Sequence, residues 1–167
     1  MPDRRPRKTD EAIRAAFLRL LFSVRYDTIG MSRIAAEADI SRSTLYQHYA
    51  TREHVLQATM RHIIDALADA LTGISDAQGI APTLTHFWDN RRLSRAVFGP
   101  PVDAHVRRWL SESIEQRLVS AGRSMTAARI AAIPAAAGAI ALLEQWMSGH
   151  LDAPRAQIAA ALVGRAG

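Results

Sequence analysis

Residues 31–49, MSRIAAEADISRSTLYQHY, decide the fold of this chain. In residues 31–38 the apolar side chains recur at offsets 0, 3, 4 and 7, which predicts a short helix with one buried face. Ser41 is a favourable N-cap residue for a second short helix, Arg42–Tyr49. Asp39, Ile40 and Ser41 are the only residues between the two. Two short helices joined by so tight a turn predict a helix-turn-helix.

Helices of two turns are unstable alone, so the motif needs support from neighbouring elements. The preceding residues 9–24 carry an apolar stripe at helical spacing, formed by Ile13, Ala16, Phe17, Leu20, Leu21 and Val24. After the motif, Thr51 is positioned to cap a long helix that ends near Gly73. The sequence therefore predicts a three-helix head followed by a connecting helix.

The second short helix has an unusual composition. It carries Arg42, Ser43, Thr44, Tyr46, Gln47, His48 and Tyr49, with Leu45 as the one clearly inward residue. In a helix-turn-helix this helix lies in the DNA major groove, where such donors and acceptors meet base edges. The alternative is a polar surface helix without a ligand, but a solvated face normally carries Glu and Lys, and this helix has no acid. DNA binding is the favoured interpretation.

The charge of +5 is unevenly distributed. Residues 1–61 hold 11 Lys and Arg against 7 Asp and Glu, whereas residues 62–167 hold 10 against 9. A basic N-terminal third is attracted to a polyanion, either nucleic acid or an anionic membrane surface. For Arg4, Arg5, Arg7 and Lys8 we weigh a reach into the minor groove against a disordered, solubilising tail, and favour the tail.

The run from Ile34 to Tyr49, followed by Arg52-Glu53 and Leu56, resembles the N-terminal domain of the TetR (tetracycline-repressor) family, over roughly residues 9–60. Three positions depart from the family pattern. Asp39 stands where glycine is usual, Gly30 where Thr or Ser is common, and Arg52 where Lys is usual. Asp tolerates the left-handed backbone that this turn favours, so the turn is expected to form.

The resemblance and the position of each residue on its helix imply specific roles. Base-edge contacts are implied for Arg42, Ser43, Gln47 and His48. Phosphate contacts are implied for Thr44, Tyr46, Tyr49 and Arg52, joined by Ser32 or Arg33 at the start of the first short helix. For Tyr46, packing against the first long helix is an equal alternative.

Beyond residue 73 the pattern predicts a loop over 73–82 and then helices over 83–97, 103–120, 125–147 and 154–163. We find no period-2 strand pattern, so the predicted class is all-α with about nine helices. The predicted division is a DNA-binding domain over residues 1–52 and a helical effector-binding and dimerisation domain over 53–167. The family resemblance implies a homodimer, and the uncharged, alanine-rich stretch 130–143 needs cover on all sides, which a second subunit would supply beside residues 154–163.

An effector pocket in the body is a weaker prediction, because aromatic residues at helical spacing are more often plain core. Its candidate residues are Phe87, Trp88, Arg91, Arg95, Phe98, His105, Trp109 and Trp146. The arginines favour an anionic or aromatic ligand. The effector itself stays unknown.

Catalysis is not predicted. The chain has no Cys and no nucleophile elbow, phosphate-binding glycine loop or His-Glu-x-x-His motif. His62, Asp65 and Asp69 share a helical face, which a solvated polar stripe explains better than a metal site. We expect no cofactor, no metal, no signal peptide and no membrane helix, and a cytoplasmic location.

Together these features predict a sequence-specific DNA-binding transcriptional regulator, a repressor of a pseudo-palindromic double-stranded DNA operator that a small molecule releases. The alternative is a helical interaction or ligand-binding protein without DNA-binding activity.

Overall fold

A computed structural model describes residues 4–166, with side chains from residue 7 onward. Its described residues form nine α-helices, one 3-10 turn and no strand, which confirms the all-α prediction. The helices are α1 (Arg4–Ser23), α2 (Met31–Glu37), α3 (Arg42–His48), α4 (Arg52–Leu71), α5 (Ala77–Asp89), α6 (Arg91–Phe98), α7 (Asp103–Ser120), α8 (Met125–Ser148) and α9 (Arg155–Leu162), with the 3-10 turn at Tyr26–Thr28.

The chain divides into two compact units, one up to residue 61 and one from residue 62. We call them the head and the body. The division of function predicted at residue 52 remains a prediction.

The core of the head is built from the apolar stripes that the sequence predicts. Ile13 and Phe17 of α1, Ile34 of α2, Leu45 of α3 and Leu56 of α4 are all fully buried. Each stripe repeats every three or four residues, so each helix turns one face inward and leaves its polar face to solvent.

Helix α1 begins at Arg4, five residues before the predicted start. The prediction of a disordered tail is therefore wrong for residues 4–8, while residues 1–3 lie outside the described residues. Arg and Lys are good helix formers, and residue 6, a proline, falls in the first turn, where a backbone amide has no intrahelical acceptor. Thr9, a residue type that favours the N-cap position, instead lies inside the helix.

Helices α5 and α6 correct two further predictions. The segment predicted as a loop contains the start of α5, because the Asp76 carboxylate accepts hydrogen bonds from the amides of Gln78 and Gly79 at 3.0 and 2.9 Å. The helix predicted over 83–97 is broken at Asn90. Beyond the break, the buried Ser94 hydroxyl donates to the Phe87 carbonyl at 3.1 Å and so pairs a carbonyl at the end of α5.

In the body, α8 packs along α7 and against α6, whereas α9 packs on α5. The face of α8 carrying Ala132, Ala136 and Leu143 is fully buried, and the opposite face carries Ile130 and Ile133, which are exposed. By length and composition alone α8 is apolar enough to cross a membrane. Core helices of soluble proteins pass the same test, and α8 buries one face against α6 and α7.

Candidate nucleic-acid interface

The turn between α2 and α3 has the backbone that the sequence predicts. Asp39 has a φ of 54°, which is the left-handed conformation. The Ile40 amide then donates to the Ala35 carbonyl at 3.0 Å, which closes the end of α2. The Ser41 hydroxyl accepts from the Thr44 amide at 3.1 Å, so the predicted N-cap is present. These bonds fix the start of α3 relative to α2.

One face of α3 is anchored and the other is open. Leu45 is fully buried, while Arg42, Ser43, Tyr46 and Gln47 are exposed. Three of the four predicted base-contacting residues therefore share an open surface. Tyr46 is 55% exposed, so its side chain is not buried in the core of the head.

The remaining predicted residues on α3 are less open. Thr44 and His48 are half-buried. The hydroxyls of Ser43 and Thr44 each lie 2.8 Å from the Ser41 hydroxyl, within the cap. On α2, Ser32 and Arg33 are exposed in the first turn of the helix.

Helix α2 is tied to α1 by an ion pair. The Arg19 Nε lies 2.6 Å from the Glu37 carboxylate, and its Nη2 donates to the Glu37 carbonyl at 3.1 Å. Because that carbonyl is at the end of α2, the arginine also caps the helix. The C-terminal end of α2 is thus held both by the turn and by α1.

Tyr49 was predicted to contact a DNA phosphate, but its hydroxyl has a partner within the protein. Its half-buried hydroxyl donates to the Asp10 carboxylate, which also pairs with Arg14 at 2.9 Å. Burial raises the pKa of Tyr49 above its ordinary value, and the hydrogen bond to Asp10 raises it further. Tyr49 therefore fastens the end of α3 to α1.

Arg52 also has partners within the protein, three backbone carbonyls that the sequence did not predict. Its Nη1 donates to the carbonyls of Tyr26, Asp27 and Ile29 at 3.1, 3.0 and 3.2 Å. The guanidinium carbon lies 4.5 Å from the centre of the buried Tyr26 ring. No sequence signal identifies such a contact, because backbone carbonyls occur at every position. The phosphate roles predicted for Arg52 and Tyr49 remain predictions, although both side chains are already engaged.

The eight residues predicted for an effector pocket fall into separate contacts. Phe87 and Phe98 form a buried edge-to-face pair with ring centres 4.9 Å apart, as the plain-core alternative expects. Trp88 stacks on Trp146 at 5.0 Å, with Arg91 4.9 Å from the Trp88 ring.

The other three predicted pocket residues make different contacts. His105 stacks on Trp109 at 5.6 Å. Arg95 donates to the carbonyls of Met147 and Ser148 at 2.7 and 3.3 Å, which caps the end of α8. Trp88 and Trp146 border a surface depression of about 410 Å³ together with residues 152–155.

The polar stripe on α4 has a structural role. Asp65 and Asp69 both pair with Arg117 of α7, at 3.2 and 2.6 Å. Among the described residues, no group of three or more His, Cys, Asp or Glu side chains is placed to hold a metal ion.

The buried α1 stripe, the left-handed turn and the capped, outward-facing α3 define the class: this is a helix-turn-helix protein. Comparison with known proteins agrees. Residues 13–67 match the model of bacterial regulatory proteins of the tetR family. Over 71 residues the chain is 38% identical to an uncharacterized HTH-type transcriptional regulator, YxbF, from Bacillus subtilis (strain 168), a match covering 42% of this chain. It spans only 19% of the length of that relative.

Solved structures share the fold over nearly the whole chain. A TetR transcriptional regulator from Streptococcus agalactiae 2603V superposes with a TM-score of 0.63 at 20% identity, covering 96% of this chain and 94% of that one. NalD, the secondary repressor of the MexAB-OprM multidrug efflux pump in Pseudomonas aeruginosa, superposes with a TM-score of 0.57 at 18% identity, covering 94% and 93%. At these identities the likeness shows the fold. The head, over residues 13–67, is therefore similar in sequence to bacterial regulatory proteins of the tetR family, and the chain shares the fold of these solved structures.

Proposed function

We propose that this protein is a sequence-specific DNA-binding transcriptional regulator. The observation that supports this most strongly is the open face of α3, where Arg42, Ser43 and Gln47 stand exposed on a helix fixed by the Ser41 cap and the Leu45 anchor. Residues 42–49 contain no acid that would repel phosphate. A rigid helix with an open, donor-rich face is what readout of the major groove requires.

In this proposal Arg42 pairs with guanine and Gln47 with adenine, because these bases suit a guanidinium and a side-chain amide. Ser43 and His48 complete the base contacts. Thr44, Tyr46, Ser32 and Arg33 contact phosphates and set the register on the duplex.

The operator is a pseudo-palindrome because the protein acts as a homodimer. One stripe of α8 supports this assembly, with Ile130, Ile133 and Ala141 exposed and Ala137 half-buried between them. Val119 at the end of α7 and Met125 at the start of α8 are exposed as well. Residues 154–163 were predicted to lie beside α8 in the dimer interface, but α9 packs on α5. We propose that α7 lies beside α8 in that interface instead.

The sign of regulation is proposed from the relatives. NalD is named a repressor, and a repressor released by a small ligand is the corresponding model for this chain. Its effector is anionic or aromatic, since Trp88 is partly exposed beside Arg91. The protein acts in the cytoplasm, where operator DNA is accessible, and its action involves no catalysis, metal, cofactor or membrane.

The test is selection of bound sequences from random duplex DNA, with wild type and two variants. Wild type should select a two-fold motif. Arg42→Ala should lose preference at one position in each half-site, at a cost of about 1–3 kcal/mol. Arg92→Ala, an exposed arginine of the body, is the control and should select the wild-type motif.

Two results would contradict the proposal. An unchanged motif for Arg42→Ala would exclude the base contact. Equal binding of wild type to random and selected duplex would favour the alternative, a helical interaction or ligand-binding protein that does not recognise DNA.

A further inference from the structure

Arg52 opens α4 and reaches back to the connection between α1 and α2. Its single Nη1 atom is within 3.2 Å of three carbonyl oxygens, those of Tyr26, Asp27 and Ile29. The side chain is half-buried, and the guanidinium lies over a tyrosine ring that is itself buried. This is the environment of a cation held inside a fold.

The three carbonyls converge because of the local backbone. Tyr26–Thr28 is a 3-10 turn, closed by the Ile29 amide donating to the Tyr26 carbonyl at 3.0 Å. Carbonyls at the end of a helical turn point the same way and need a donor, and a cationic group satisfies several of them at once. The arginine therefore holds the chain in the conformation that leads into α2.

Helix α2 begins at Met31, two residues after the last of these carbonyls, and carries Ser32 and Arg33 in its first turn. We propose that Arg52 is a positioning residue for DNA binding, which acts through α2 by fixing the Tyr26–Ile29 connection and makes no phosphate contact of its own. The proposal rests on the proposed function of the head. It reverses the phosphate role that the family resemblance implies for this position.

The two roles have different consequences for the salt dependence of binding. The slope of log Kobs against log salt is negative, and each phosphate contact makes it steeper by about 0.9 through counterion release, so loss of a contact makes the slope less steep by about 0.9. Loss of a positioning residue lowers the fraction of heads in the binding-competent conformation, which raises the apparent Kd by the same factor at every salt concentration. The slope then stays at the wild-type value.

The experiment compares wild type with Arg52→Gln, Arg52→Lys and Arg33→Gln, using the duplex that wild type selects. Binding is measured over a series of salt concentrations, and amide hydrogen exchange of residues 28–31 is measured without DNA. Arg33→Gln is the matched control, because it removes one exposed arginine of the head that lies beside the same connection.

We expect Arg52→Gln to raise the Kd on the order of tenfold with an unchanged slope, and to speed exchange at the amides of Thr28 and Ile29. Arg52→Lys should restore the affinity and the slow amide exchange in part. An ammonium offers three donors from one nitrogen but lacks the planar group over Tyr26. Arg33→Gln should make the slope less steep by about 0.9 for each bound subunit, with wild-type exchange.

A less steep slope for Arg52→Gln, with exchange at residues 28–31 as in wild type, would overturn the proposal and restore the direct phosphate contact. Unchanged binding would overturn it too. If Arg52→Gln does not fold, Arg52→Lys decides by the same exchange measurement, because a phosphate contact predicts no change there. Failure of the proposed function is seen separately, as wild type that prefers no duplex.

Discussion

Polar side chains of the head differ in whether their donors already have protein partners. Arg42 and Gln47 are exposed on α3, whereas Tyr49 and Arg52 are half-buried, with their polar atoms bonded to the Asp10 carboxylate and to backbone carbonyls. An exposed donor is available to DNA at little cost. A donor used inside the fold would first have to give up an existing bond, and the group left unpaired would cost about 1–3 kcal/mol.

Tyr49→Phe removes the hydroxyl that joins the end of α3 to α1. We expect a loss of about 1 kcal/mol in the free energy of unfolding at pH 7, measured by urea denaturation. A pH effect is expected as well. Because burial and the bond to Asp10 raise the pKa of Tyr49 in the folded state, the unfolded chain loses its proton first, and stability falls as pH rises above about 10.

The variant should therefore show a shallower decline in stability between pH 8 and pH 11 than wild type. Tyr26, whose pKa is also raised by burial, keeps part of the decline in both proteins. Tyr46→Phe is the control for loss of an exposed hydroxyl, and should keep wild-type stability at pH 7. If the stability of Tyr49→Phe declines with pH as steeply as that of wild type, folding does not raise the pKa of this hydroxyl.

Among the elements of the body, α4 and α7 are joined by an arginine bonded to two carboxylates. The Arg117 side chain is only 19% exposed, and it pairs with Asp69 through Nε and with Asp65 through Nη2. Its Nη1 also donates to the Ser113 carbonyl at 3.1 Å. A guanidinium with this many fixed partners gives up little further entropy for each bond.

A double-mutant cycle with Arg117→Met and Asp69→Asn should give a coupling free energy of about 1 kcal/mol at low salt, decreasing as salt is added. Methionine keeps the apolar stem of the side chain, so the cycle isolates the charge. The control cycle uses Arg129 and Glu115, whose atoms are 3.7 Å apart and whose arginine is 72% exposed. Its coupling should be near zero, and equal couplings for the two pairs would contradict the argument.

The sequence predicts an element well where its signals are local. Periodicity and caps lie within one turn of each other, so α2, the turn at Asp39 and the Ser41 cap were all predicted correctly. Helices α5 and α6 were not separated. The loop-like composition before Pro82 conceals the Asp76 cap, and both helices bury one face, so the apolar pattern continues across the break at Asn90.

The candidate site, too, was predicted correctly where the signal is local and missed where it is not. That α3 presents its polar side chains outward follows from its own pattern, with Leu45 as the inward residue. The partners of Tyr49 and Arg52 depend on tertiary contacts, 39 and 23–26 residues away along the chain, and no local signal reports them. The eight pocket candidates separated into four different contacts for the same reason.

At the scale of the whole molecule, the apolar surface of the body requires an explanation. Ile130 and Ile133 are 69% and 56% exposed, on the α8 face whose other exposed residues are also mostly apolar. Contiguous apolar surface of this kind marks an interaction site. Under the proposed function a second copy of the chain covers it, since the alanines of the stripe, with Gly138 beside them, allow another helix to approach closely.

An α8 interface between two copies of the chain can be tested by placing a charge in it. Ile133→Glu should convert a dimer into a folded monomer, because the side chain is already exposed in one chain and only the partner would desolvate the new charge. Sedimentation should give twice 18.3 kDa for wild type and 18.3 kDa for the variant at micromolar concentration, with similar helical content by circular dichroism. Ile74→Glu, an equally exposed isoleucine outside α8, should remain dimeric. Since a palindrome is bound by two copies of α3, the monomer should bind the full operator no better than a half-site. Wild type that sediments as a monomer would exclude both the α8 interface and the palindrome.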